Sequence, residues 1–138
     1  MGNVIPTVVM SDSLHELARF LLIGKVHLMR ERIYVAGPYT KGDVAENVHR
    51  AFKAANTLAD LGFAPFVPHS THFWHLLFQR PYEFWLDLDN QFIPCCHALL
   101  RLPGESSGAD KEVALAKSLG IPVFDEITAI DAYFSRAE

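Results

Sequence analysis

The residue whose type and position most invite chemistry is Glu112. It follows the turn Gly104-Glu105-Ser106-Ser107-Gly108-Ala109-Asp110-Lys111, which itself follows a compact apolar run, Ala98-Leu99-Leu100-Arg101-Leu102, and leads into a helical pattern, Val113-Ala114-Leu115-Ala116-Lys117. A strand that ends in a Gly/Ser turn and starts a helix aims unpaired backbone N–H groups, and the positive end of the helix dipole, at whatever sits above the sheet. A phosphate, a sugar hydroxyl or a carboxylate suits that seat. Glu112 stands about one helical turn beyond Gly108, which keeps its side chain near the mouth. The ordinary alternative is a carboxylate that only complements the dipole, worth about 0.3–1 kcal/mol.

A second group is His69, His72 and His75, spaced three apart, which on a helix would fall on one slowly drifting face. That spacing is a weak metal signature, with no Glu placed as in the His-Glu-x-x-His pattern, and Cys95, Cys96 and His97 add little to it. No metal and no cofactor are expected. His69 is read instead as lining a pocket at a strand end. Phe73, Trp74, Phe78, Tyr82, Phe84 and Trp85 crowd the same region, as a pocket wall or as a subunit contact.

The elements that must position these residues follow from the hydrophobic pattern. Ile33-Tyr34-Val35-Ala36 reads as a strand stopping at the loop Gly37-Pro38-Tyr39-Thr40, and Val44 to Leu61 as a helix closed by Gly62. Ala64-Pro65-Phe66-Val67 is a second strand; Thr71 to Phe78 has no clear pattern. A helix is expected from Tyr82 to Phe92 after Pro81, then a strand over Ala98 to Leu102, the helix carrying Glu112, a short strand Ile121 to Phe124, and a helix from Ile127 to Arg136. Strands alternating with helices predict a three-layer flavodoxin-like or Rossmann-like α/β fold, a mostly parallel sheet with helices on both faces. Ligands of such sheets bind beyond the carboxyl ends of the strands, the edge that holds both unusual loops, Gly37 to Thr40 and Gly104 to Gly108. Residues 1–30 read as an N-terminal extension to a domain over 31–138. Ser13-x-x-Glu16 is a capping-box pattern opening one amphipathic helix through Leu14, Leu17, Ala18, Leu21, Leu22 and Val26.

Composition narrows the function classes. Across 138 residues, 50% hydrophobic and 20% charged, the chain suits one folded domain. A net charge of −4 without a Lys/Arg cluster gives no footprint for a nucleic-acid polymer. Phe20-Leu21-Leu22-Ile23-Gly24 is too short to span a membrane, and no targeting segment is read. The two cysteines are adjacent, which disfavours a disulfide and fits a cytoplasmic protein.

Three motifs in order, Ile33-Tyr34-Val35-Ala36-Gly37-Pro38-Tyr39, then Asp89 ahead of a strand, then Ser106-Ser107-Gly108-Ala109-Asp110-Lys111-Glu112 opening a helix, resemble the nucleoside 2-deoxyribosyltransferase-like superfamily. The resemblance spans residues 32–125 and is greatest to small bacterial members related to the 2′-deoxynucleoside 5′-monophosphate N-hydrolases. It implies that Glu112 is the nucleophile and that Asp89, with Asp87 as the register alternative, is the general acid/base. It further implies that Tyr34 orients Glu112, that Ser106 and Gly108 hold the 5′ end of the sugar or its phosphate, with Ser107 between them, and that Gly37, Pro38 and Tyr39 line the base and sugar pocket. Two departures stand out. The strand that opens with an aspartate in the family opens here with His97, and the first loop lacks the arginine that favours phosphorylated substrates.

Breaking an N-glycosidic bond with retention needs one carboxylate to attack the anomeric carbon and a second acid to protonate the leaving base. The helix N-terminus is expected to keep Glu112 charged, and an aromatic pocket to keep Asp89 protonated. The expected partner is a small-molecule nucleoside or nucleotide, with no membrane. A homodimer or larger homo-oligomer is expected from the family, with the aromatic segment and the N-terminal helix as plausible interface. The alternatives are a non-catalytic nucleotide-binding module and a metal-dependent hydrolase built on the three histidines.

Overall fold

Alternation decides which side of the central strand faces which layer. In β1 (Arg32–Ala36), Ile33 and Val35 point to one face and Tyr34 and Ala36 to the other, and all four are fully buried. A computed structural model describes Leu14, Glu16, Leu17 and residues 30–136. Leu14, Glu16 and Leu17 are helical; the rest of the expected N-terminal helix lies outside the described residues. The chain divides into two units after Arg30, and the α/β unit is the one that follows.

The remaining elements are α1 (Val44–Asp60), β2 (Ala64–Phe66), α2 (Thr71–Leu77), α3 (Tyr82–Asn90), β3 (Ala98–Arg101), α4 (Ser107–Ser118), β4 (Val123–Phe124) and α5 (Ile127–Ser135). The four strands pair in the order β2-β1-β3-β4, every pairing parallel, with Tyr34 opposite Phe66 on one side and Leu99 on the other. Pro65 lacks an N–H, and β2 is an edge strand, where that lack is tolerated.

Ile33, Val35, Ala98 and Leu100 pack with Ala51, Ala54, Ala55 and Leu58 of α1 and with Ile130 of α5. Tyr34, Ala36 and Leu99 pack on the opposite face with Ala109 and Ala116 of α4. The result is the three-layer α/β arrangement expected from the sequence. Truncating Leu100 to alanine in this packing would cost about 2–5 kcal/mol. Among the described residues no helix is long and apolar enough to cross a membrane.

Two helix starts fix the loops that matter. Asp43 caps α1 by accepting from the Glu46 N–H at 2.9 Å, and Asn47 on its first turns donates to the carbonyls of Tyr39 (2.9 Å) and Lys41 (2.8 Å). Ser106 caps α4 by accepting from the Ala109 N–H at 3.2 Å. Of the stretch Thr71 to Phe78, patternless in sequence, Thr71–Leu77 forms the short helix α2 and Phe78 ends it in extended backbone; no residue of the helix is buried, so no apolar periodicity was needed to hold it.

Candidate active site

The chain order reverses between β1 and β3, so the loops after these strands leave on opposite faces and open a crevice at their carboxyl ends. The two loops also grip each other. The Leu102 N–H donates to the Ala36 carbonyl at 2.8 Å, Gly104 lies against the Pro38 ring, and Lys41 pairs with Glu105. Arg101 ties the second loop to its helix, donating to the Gly104 carbonyl and to Asp110 at 2.9 Å each.

A cavity of about 350 Å³ opens at this edge. Gly37, Tyr39 and Thr40 line it from the first loop, Ser106, Gly108, Ala109 and Glu112 from the start of α4, and His69 from the turn after β2. The helix α3 supplies a further wall with Tyr82, Trp85, Leu86 and Asp89, which recur at the three-and-four spacing of one helical face, and Thr71 and His75 of α2 also line the cavity.

Glu112 and Asp89 are both more than nine-tenths buried. The Tyr34 hydroxyl donates to Glu112 Oε1 at 2.7 Å from beneath, because Tyr34 is wholly enclosed and does not itself line the cavity. Asp89 Oδ1 has no hydrogen-bond partner among the described residues. Burial pushes the Asp89 carboxyl up to about 7. Burial also pushes Glu112 up to about 7, against the opposing Tyr34 hydrogen bond, with the Asp89 charge adding to the rise and Arg101 countering it. The expected pull of the helix end on Glu112 is therefore outweighed. Glu112 sits in the second turn of α4, which starts at Ser107, where the dipole has largely decayed.

Of the two neighbouring aspartates, Asp89 lines the cavity and Asp87 is exposed. Pro38 and Ser107 do not line it: Pro38 is buried behind the first loop and gives its carbonyl to His69, and Ser107 is exposed at the helix start. His97 lies at the opposite end of the sheet, where its Nδ1 accepts from the Arg32 N–H at 2.8 Å. The three histidines do not converge. His69 bonds the Pro38 carbonyl, His72 the Tyr39 hydroxyl at 2.6 Å, and His75 accepts from the Trp85 indole at 2.9 Å. No group of three or more His, Cys, Asp or Glu able to hold a metal occurs among the described residues.

Trp85 is caged edge-on by Trp74, Phe84 and His75, with ring centres 5.0–5.6 Å apart. Phe73 and Phe78 point away, 69% and 66% exposed, so the aromatic segment divides between cavity wall and outer surface. Arg80, which no sequence pattern singles out, also lines the cavity and stacks over Phe84 at 5.1 Å. The spacing from Tyr82 to Asp89 behind Pro81 marks one shared helix face without saying whether that face meets a cavity or a partner.

Fold and crevice together define a three-layer α/β domain of Rossmann-like layering with its cavity at the carboxyl ends of β1 and β3. A solved structure of a 2-deoxyribosyltransferase from the psychrotolerant bacterium Bacillus psychrosaccharolyticus, described as a biocatalyst for nucleoside synthesis, is similar at a TM-score of 0.51. It is 24% identical, with 67% of this chain and 69% of that one covered, a likeness of fold. Residues 31–125 match the family described as a domain of unknown function, DUF4406, and the chain belongs to that family. No curated protein matches it.

Proposed function

We propose that this domain cleaves the N-glycosidic bond of a nucleoside, deoxynucleoside or nucleotide with retention, passing the glycosyl group to water or to another base. The observation that carries the reading is a pair of buried carboxyls, Glu112 held by Tyr34 and Asp89 unpaired, on one cavity at the β1/β3 crevice. A Glu112 carboxylate oxygen attacks the anomeric carbon while the C–N bond breaks, its electron pair going to the base nitrogen, which takes a proton from Asp89. The resulting glycosyl ester is then opened by water or an acceptor base, whose proton returns to Asp89. Tyr34 acts as a positioning residue that favours the charged form of Glu112. The activity of the similar 2-deoxyribosyltransferase supports glycosyl transfer, and relation to the N-hydrolases is part of the same proposal.

Carboxyls near 7 allow the two protonation states the reaction needs, one ionised and one protonated, to coexist at neutral pH. Ser106 and Gly108, at the N-terminus of α4, would take the sugar end of the ligand, while Gly37 and Tyr39 would line the base and sugar pocket. Arg80 is the cation on the wall suited to a 5′-phosphate.

The test is base release from a panel of nucleosides, deoxynucleosides and their 5′-monophosphates, with and without an acceptor base, for the wild type and Glu112→Gln. Release abolished in the variant upholds the reading; no release by the wild type defeats it, and a ligand that only raises the melting temperature favours a binding module. The proposal extends to a cytoplasmic homo-oligomer formed from this domain, with residues 1–30 as an addition to it. Two free thiols fit the first part. Phe73, Leu76, Leu77 and Phe78, each more than 60% exposed, fit the second, and a sedimentation mass of one chain would refute it.

A further inference from the structure

One buried polar side chain that lines the cavity, His69, remains outside this mechanism. His69 is 6% exposed, and its Nε2 lies 2.8 Å from the Pro38 carbonyl. A carbonyl oxygen can only accept, so Nε2 carries the proton and Nδ1 presents a lone pair. That Nδ1 is buried and has no hydrogen-bond partner among the described residues. Burial lowers the basicity of the ring, against the opposing Pro38 bond, which keeps Nδ1 an acceptor at neutral pH.

An unpaired buried acceptor selects its ligand. It repels another lone pair and rewards an N–H or O–H, because the ligand then supplies the bond that the protein lacks. A phosphate at neutral pH offers oxygens without the needed proton and does not fit. A sugar hydroxyl is excluded by placement. The anomeric carbon must lie at Glu112, on the helix after β3, whereas His69 follows β2, and β1 lies between these strands. Two strand spacings are about 10 Å. A glycosyl group seated at Glu112 therefore sends its base, not its hydroxyls, towards His69.

We infer that His69 Nδ1 is a specificity-determining acceptor for an exocyclic amino group, so that the site prefers a nucleoside with an aminated base, adenine or cytosine, over its oxo counterpart, hypoxanthine or uracil. This rests on the glycosidic reading above. In the aminated bases the exocyclic N–H meets the lone pair; in the oxo bases a carbonyl oxygen faces it instead. Sites that hydrogen-bond a particular ligand group reject the analogue that cannot reciprocate, by about tenfold or more here.

The experiment compares base release from deoxyadenosine against deoxyinosine and from deoxycytidine against deoxyuridine, as free nucleosides and as 5′-monophosphates. It uses the wild type and His69→Gln. Glutamine can place its amide nitrogen near the Nε2 position and keep the bond to Pro38, but it has no acceptor in place of Nδ1. The wild type is expected to favour at least one aminated member by about tenfold or more in kcat/KM, and His69→Gln to reduce that ratio to within about twofold. A wild-type ratio near one, a preference for the oxo members, or a ratio unchanged in His69→Gln overturns the inference while leaving the glycosidic reading standing. If no substrate loses its base, that reading fails, and melting-temperature shifts with the same pairs decide the inference alone. An equal shift within each pair overturns it, and a larger shift for the aminated member, lost in His69→Gln, supports it. Should His69→Gln not fold, the wild-type ratio is decisive.

Discussion

The Tyr34 hydroxyl donates to Glu112 Oε1 across 2.7 Å, joining the central strand to the helix that covers one face of the sheet. Both ends are enclosed, so no solvent replaces the bond if it is removed. Burial and the adjacent Glu112 charge raise the phenol well above its usual range, so Tyr34 remains a donor at every working pH. Tyr34→Phe deletes the interaction that favours charged Glu112. The acidic limb of the kcat/KM profile should move to higher pH, with activity at neutral pH down about tenfold to a hundredfold and stability down about 1–3 kcal/mol in urea melts. An unmoved acidic limb would mean that Tyr34 does not tune Glu112.

Asp89 and Glu112 also make stability depend on pH, in the direction opposite to that of a salt-bridged carboxylate. Their ordinary values are 3.8 and 4.5, and in the folded protein both rise to about 7. Between about pH 4 and 7 the folded state therefore holds more protons than the unfolded chain, so their contribution is full at low pH, falls as pH rises through that window, and levels off above about 7. Asp89→Asn removes the Asp89 part of this loss. Its melting temperature should exceed that of the wild type at pH 8 by about 5 °C, with the gap closing towards pH 4. A gap of equal size at both pH values would show that burial of the charge is not its cause.

The fold could be read from the sequence because its strands are short apolar runs bounded by turn residues and its long helices carry periodic apolar faces. Ala51, Ala54, Ala55 and Leu58 on α1 are an example. Glu112 was legible through its turn, and Asp89 and Tyr34 through a resemblance. The wall formed by α3 was not, since Tyr82, Trp85 and Leu86 look the same in sequence whether they face a cavity or a partner. The place of His69 on the pocket could be read from its position at a strand end, but its bond to the Pro38 carbonyl, 31 residues earlier, could not. Tertiary partners, which local pattern does not encode, decided both.

The turn before α4 has a conformation that only glycine adopts without strain at Gly104, where φ is +114°. A Cβ there would also stand 2.8 Å from the Pro38 ring, inside any real contact. Gly104→Ala should cost about 1–3 kcal/mol in chemical denaturation and weaken ligand binding, because the strain acts on the contact joining the two site loops. A stable variant with full affinity would show that the loops move independently.

Gly108 tests the cavity rather than the fold. Its missing side chain leaves the space occupied by the Tyr82 hydroxyl, which a Cβ would strike, while the next Tyr82 atom lies 3.6 Å away. Tyr82 is 45% exposed, so Gly108→Ala can push the phenol outward at little cost in stability, and alanine in a helix offsets some of that by up to about 1 kcal/mol. Activity should suffer more, about tenfold in kcat/KM, because the displaced ring belongs to the wall that faces Glu112 and Asp89. Removing the colliding oxygen should relieve the clash: in a Tyr82→Phe background, Gly108→Ala should cost clearly less than it does alone. A double-mutant cycle measures that difference directly. Strict additivity of the two substitutions would sink the account, since it requires that the glycine matters through the hydroxyl it accommodates.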